Sequence, residues 1–196
     1  MPLGAHKAAI MGVAGTAAAG DVVLLSSQTA SDSGTISFTS GIDSTYGEYI
    51  FACYKIHART DRANFHFQVN VAGESGYNET ITSTAFRAYH AEDGNEALLQ
   101  YLTAADQAQG TSFQRTTGDN TSDADGAAGI HLHLFNPSGT TYAKHFMSTS
   151  VNNADHPNMH QQFISGYVNA TGAIDEGQFK MSSGNFDGVI KLWGVK

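Results

Sequence analysis

Apolar and polar positions alternate along most of this chain with the two-residue period of a half-buried strand, not the 3.6-residue period of a helix. The cleanest run is Asn64-Phe65-His66-Phe67-Gln68-Val69-Asn70-Val71, which puts Phe65, Phe67, Val69 and Val71 on one face and their polar neighbours on the other. Thr35-Ile36-Ser37-Phe38-Thr39 repeats the pattern, as do Ile130, Leu132 and Leu134 against His131 and His133. Residues 22–28, 80–90, 142–151 and 161–169 read as further strands, and 49–58, apolar on both faces, as a central one. Clusters such as Ser31-Asp32-Ser33-Gly34 and Asn136-Pro137-Ser138-Gly139 supply the turns between them.

The closing segment 178–196 reads as a β-hairpin. Phe179 and Met181 share one face, Ile190 and Leu192 share another, and Ser182-Ser183-Gly184-Asn185 reverses the chain between them. Residues 91–106 are ambiguous between a short helix and a strand. Residues 107–129 form the least structured stretch, with a polar loop over 118–126. About ten or eleven strands without helical crossovers predict an all-β fold: a single antiparallel β-sandwich of jelly-roll type. It spans residues 21–196 behind an extended, Gly/Ala-rich N-terminal arm, residues 1–20. Such an arm has few side chains with which to fold on itself. It is expected to dock on a neighbouring subunit through Leu3, His6, Lys7, Ile10, Met11 and Val13.

Composition narrows the function. With 41% hydrophobic residues in 196 the chain can bury a sizeable core, yet only 14% of residues are charged, so Ser, Thr, Asn and Gln carry the surface. A net charge of −8 and no basic run argue against nucleic-acid binding. No stretch approaches the roughly 20 apolar residues of a membrane helix. The small, Gly-interrupted run 8–19 is a poor secretory leader.

Candidate chemistry is sparse. Cys53 is the only cysteine and sits in an apolar run; His57, four residues on, is about 13 Å away along a strand, too far to ionise it. His131 and His133 share a strand face and form an H-x-H pair of the kind fibre trimers gather on a threefold axis to hold a metal. The simpler reading is two polar residues on an outward face, and no metal or other cofactor is expected. Residues 119–126 fail the EF-hand pattern, because Leu132 falls where a Glu is needed. The carboxylate pairs Glu92/Asp93 and Asp175/Glu176 are adjacent, so on strands they face apart. No hydrolase or nucleotide motif occurs, and no enzymatic activity is expected. Tyr46, Tyr77 and Tyr142 lie beside turns, where tyrosines serve the core or, as the alternative, cradle a sugar.

Several segments resemble a family of small virion structural proteins of marine and cyanobacterial tailed phages. They are Met1-Pro2-Leu3-Gly4-Ala5-His6-Lys7-Ala8-Ala9, Ser37-Phe38-Thr39-Ser40-Gly41-Ile42-Asp43-Ser44-Thr45-Tyr46, Thr80-Ile81-Thr82-Ser83-Thr84, Leu134-Phe135-Asn136-Pro137-Ser138, Lys144-His145-Phe146, Phe179-Lys180-Met181-Ser182-Ser183-Gly184-Asn185 and Trp193-Gly194-Val195-Lys196. The resemblance spans nearly the whole chain and departs mainly over residues 98–128. It implies a jelly-roll-like module on the virion exterior, homo-oligomeric and with a homotrimer first in line, assembled in the bacterial host cytoplasm. No catalytic residues carry over. With the arm, it leads to an accessory capsid decoration or cement protein bound to the major capsid or tail protein of the same particle. The alternative is a tail-fibre or receptor-binding module whose Tyr142, Asn152, Asn153 and His156 meet a host surface glycan.

Overall fold

The structure, a computed structural model, describes residues 21–154 and 157–196. They form thirteen strands and no helix. The arm residues Leu3, His6, Lys7, Ile10, Met11 and Val13, and His156, lie outside the described residues.

Nine strands make the larger sheet: β1 (Val22–Ser33), β3 (Glu48–Ala58), β5 (Ile81–Ala91), β6 (Ala97–Tyr101), β7 (Gln107–Gly110), β9 (Ala128–Phe135), β10 (Lys144–Asn153), β11 (Asn158–Val168) and β13 (Phe186–Val195). Their order is β1-β13-β3-β9-β10-β11-β5-β6, with β7 also paired to β5. The smaller sheet runs β2-β12-β4-β8, from β2 (Thr35–Phe38), β4 (Phe65–Val71), β8 (Gln114–Arg115) and β12 (Ile174–Met181). Every strand pairing is antiparallel. The predicted central strand is β3, held between β13 and β9.

Phenylalanines join the inner faces of the two sheets. Phe38 and Phe179 of the smaller sheet meet Phe51 of β3 edge-on, with ring centroids 5.3 and 5.1 Å apart. Phe67 meets Phe146 of β10 at 5.1 Å in the same way. All of these rings are fully buried in one apolar cluster fed by both sheets. Edge-to-face geometry sets the positive rim of one ring against the negative face of the next.

The closing segment is not a hairpin. β12 lies in the smaller sheet and β13 in the larger, so residues 182–185 carry the chain across the core as an arch. Both runs present an apolar face to the same interior from opposite sides, and alternation alone is identical for the two arrangements. The arch is pinned at several points: Ser182 N–H donates to Asn64 O at 2.8 Å, and Asn185 Nδ2 donates to Asp32 O at 2.9 Å. Gly184 has φ +68°, where a side chain would be strained and would overlap Thr60.

Residues 91–106, open between helix and strand in the sequence, contain the exposed edge strand β6, and residues 107–129, read as the least structured stretch, contain the short strands β7 and β8. Within that stretch Gln114, Thr116, Thr117 and Asn120 are buried. They cover the inner face of β10 and β11 where the smaller sheet does not reach. Ser150 Oγ donates to Thr116 O at 2.7 Å, and Asn120 Nδ2 to Ala63 O at 2.7 Å. Likewise, the polar positions Gln68 and Asn70 of β4 do not face solvent. Gln68 Nε2 donates to Glu79 O, and Asn70 Nδ2 to Glu176, beneath the loops that fold over them.

Candidate interaction face

The inner face of the larger sheet is filled by the core cluster, and among the described residues its outer face stands open. Strict alternation sets it: β10 reads buried–exposed without a break from Lys144 to Asn153, and β9 turns Ile130, Leu132 and Leu134 inward. Antiparallel register then aligns the outward residues into rows. One row runs Lys191, Ala52, His131, Thr149, Phe163, Phe86 and Tyr101 across β13, β3, β9, β10, β11, β5 and β6. The next runs Trp193, Ile50, His133, Met147, Ser165 and Thr84.

Two properties distinguish this face. The outward positions of β9, β10, β11, β5 and β6 include no Asp, Glu, Lys or Arg, although the chain holds 18 acidic and 10 basic residues. Large apolar side chains stand exposed there instead: Phe86, Leu99, Tyr101, Met147, Val151 and Met159, each between 44 and 70% accessible. Scattered exposed apolar residues are ordinary on a protein surface; a contiguous set without charges is not. Phe86 and Phe163 stack across β5 and β11 with centroids 4.9 Å apart. A hollow of about 480 Å³ opens between Phe135, His145, Met147 and Tyr167, and another of about 430 Å³ between Tyr54, Gly129, Val151 and Met159.

His131 and His133 both belong to this face, as their spacing predicts. His133 Nδ1 is within hydrogen-bond distance of Glu48 Oε1, and its ring lies against Phe135. Among the described residues no group of three or more His, Cys, Asp or Glu is arranged to hold a metal ion.

Of the residues expected to face a glycan, the three described ones, Tyr142, Asn152 and Asn153, do not form one site. Tyr142 is 76% exposed ahead of β10, but Asn153 ends that strand, roughly 30 Å away at 3.3 Å per residue. Asn152 corrects the expectation outright. It is buried, because β10 continues through it and alternation turns it inward, where Nδ2 donates to Asp119 O at 3.2 Å. Asn153 is exposed at the edge of the second hollow.

The groups considered for catalysis have structural partners. Cys53 is buried, which pushes its thiol well above the usual value and keeps it protonated. Glu176 accepts hydrogen bonds from Tyr77 Oη at 2.8 Å and Asn70 Nδ2 at 3.1 Å; burial first, and this carboxylate second, push the Tyr77 phenol up to about 12. Asp93 accepts from Asn95 N–H at 2.9 Å in a tight turn. Glu92 lines a hollow of about 270 Å³ beside the 118–126 loop, together with Asp123 and Asp125.

Comparison with known proteins adds no relative: no protein-family model and no curated protein matches the chain. The face itself escaped the sequence reading. Its signal was present as charge-free outward positions at 131–135, 145–153 and 159–167, but only the pairing register places those segments side by side.

Proposed function

We propose that this chain is an accessory structural protein on the exterior of a tailed-phage particle. It is a homo-oligomeric decoration or cement protein whose residues 1–20 dock on the major capsid or tail protein. The observation that carries this reading is the apolar outer face of the larger sheet over β9, β10, β11, β5 and β6, whose outward positions hold no charged residue. A surface of that composition belongs against protein. The body is a jelly-roll sandwich. Support for this comes from the interleaving of early and late strands, β1 and β3 in one sheet with β2 and β4 in the other, and likewise β12 and β13.

Mass spectrometry of purified particles tests the reading, with copy number as the readout. Hundreds of copies per particle are expected for a decoration protein, and absence from the particle overturns the proposal. Deleting residues 1–20 should abolish incorporation while leaving a folded β body; an unfolded product contradicts the docking arm.

A second reading, the tail-fibre or receptor-binding module, is favoured by Tyr142, an aromatic ring 76% exposed in the segment ahead of β10. It predicts few copies per particle and glycan-array binding that Tyr142→Ala removes. Binding that survives this substitution counts against it.

A further inference from the structure

We infer that a second copy of this chain packs face to face on the outer surface of the larger sheet, centred on β10 and β11. The inference rests on the structural-subunit reading above and names the partner of its carrying surface.

Charge selects the occupant. Each chain carries a net charge of −8, so two copies repel one another over most of their surfaces. They can touch without burying a carboxylate only where none projects, and the outward positions of β9, β10, β11, β5 and β6 meet that condition. A basic partner would be matched by carboxylates and an acidic one by Lys or Arg; the outward positions of these five strands hold neither, and Glu48 and Asp106 reach His133 and Tyr101 only from the margins. In a twofold contact the same patch serves both subunits, so a charge near the axis would meet its own copy. A neutral centre is what that symmetry requires.

Area and shape agree. At about half exposure each, the six large side chains of this face present about 600 Å² per copy, most of the roughly 800 Å² that one partner contributes to a standard stable interface. Sheets pack face to face at about 10 Å, a gap that side chains the size of Met147, Phe163 and Leu99 fill. The unbranched Met147 and Met159 adapt to an opposing surface, and the hollow beside His145 and Tyr167 accepts an inserted side chain.

Sedimentation equilibrium of the full chain, with light scattering at several concentrations, tests the contact. Wild type should show a concentration-dependent mass at an even multiple of 20.8 kDa. Thr149→Asp and Met147→Glu, each placing a carboxylate at the centre of the face, should reduce it to 20.8 kDa with the circular dichroism spectrum unchanged. Tyr142→Ser, ahead of β10 and outside the paired rows, should leave the wild-type mass. Peroxide oxidation of wild-type Met147 and Met159 supplies a second readout that needs no folded variant, expected to slow several-fold as concentration rises through the association range. A wild-type chain that stays monomeric, a strict trimer, or folded carboxylate variants that keep the wild-type mass would each overturn the contact. A monomer whose two methionines become protected only inside the particle would assign the face to another virion protein, leaving the structural reading intact. An even oligomer missing from particles would do the reverse.

Discussion

Phe186 meets Phe65 edge-on across the core, with ring centroids 5.3 Å apart and planes at 72°, while Phe179 stacks on Phe65 at 5.7 Å and 12°. Phe65 is thus held by residues on either side of the closing arch, one from its own sheet and one from the larger. This contact ties the last strand to the smaller sheet. Phe186→Ala should lower unfolding stability by about 3–5 kcal/mol, the loss expected for a fully buried ring. Urea denaturation measures it, and a loss below about 1 kcal/mol would mean the core collapses around the gap.

Gly184 makes the same arch a matter of backbone geometry. Its φ of +68° and the nearness of Thr60 Oγ1 leave no room for a methyl group. Gly184→Ala should therefore cost about 1–3 kcal/mol, seen as a lower melting temperature. Pairing it with Thr60→Ala should recover the steric part but not the backbone part. Full recovery would place the whole penalty in the overlap.

How far the sequence could be read depends on what each signal measures. Ile130, Leu132 and Leu134 announced β9 correctly, because one face of that strand meets the core and the other meets solvent. Gln68 and Asn70 obeyed the same alternation and still misled, since loops distant in sequence cover them and polarity does not report burial. Asn152 belongs to β10 although its neighbours Asn153, Ala154 and Asp155 are poor strand formers; backbone pairing with His160 overrides that preference. The arch was misread because Phe179 and Met181 alternate identically in a hairpin. The outer face depends on register between segments far apart in the chain, which periodicity within one segment does not encode.

His66 gives the fold an acid limb. Its imidazole is driven down to about 4, first by burial and then by the cations of Arg115 and Lys180, and Nε2 has no hydrogen-bond partner among the described residues. In the unfolded chain the ring takes up a proton near 6.5, so between those values the unfolded state binds more protons. Stability therefore falls as pH drops from 6.5 toward 4, by up to about 3 kcal/mol. Asp187, held below the usual carboxylate range chiefly by Arg59, loses its contribution only at lower pH. His66→Gln should flatten the decline between pH 6.5 and 4 in urea titrations. An unchanged slope would assign that limb to other groups.

Lys144 is the most consequential buried polar group near the exposed Tyr142. Its residue is 2% accessible, and Nζ donates to Tyr142 O at 2.8 Å, Thr171 O at 3.2 Å and Ala170 O at 3.3 Å. The ammonium has three protons and meets three carbonyls, so it clamps the turn before β10 to the turn after β11. Lys144→Met keeps the aliphatic stem and removes only the head. It should cost about 2 kcal/mol, because three carbonyls lose a charged donor. The exchange rates of backbone amides in residues 138–143 should rise in the same variant, since the clamp and not the core is what fails. A Lys144→Met protein as stable as wild type, with unchanged exchange in that turn, would show that desolvating the amine cancels what its hydrogen bonds contribute. In that case the position of Tyr142 would rest on the strand alone.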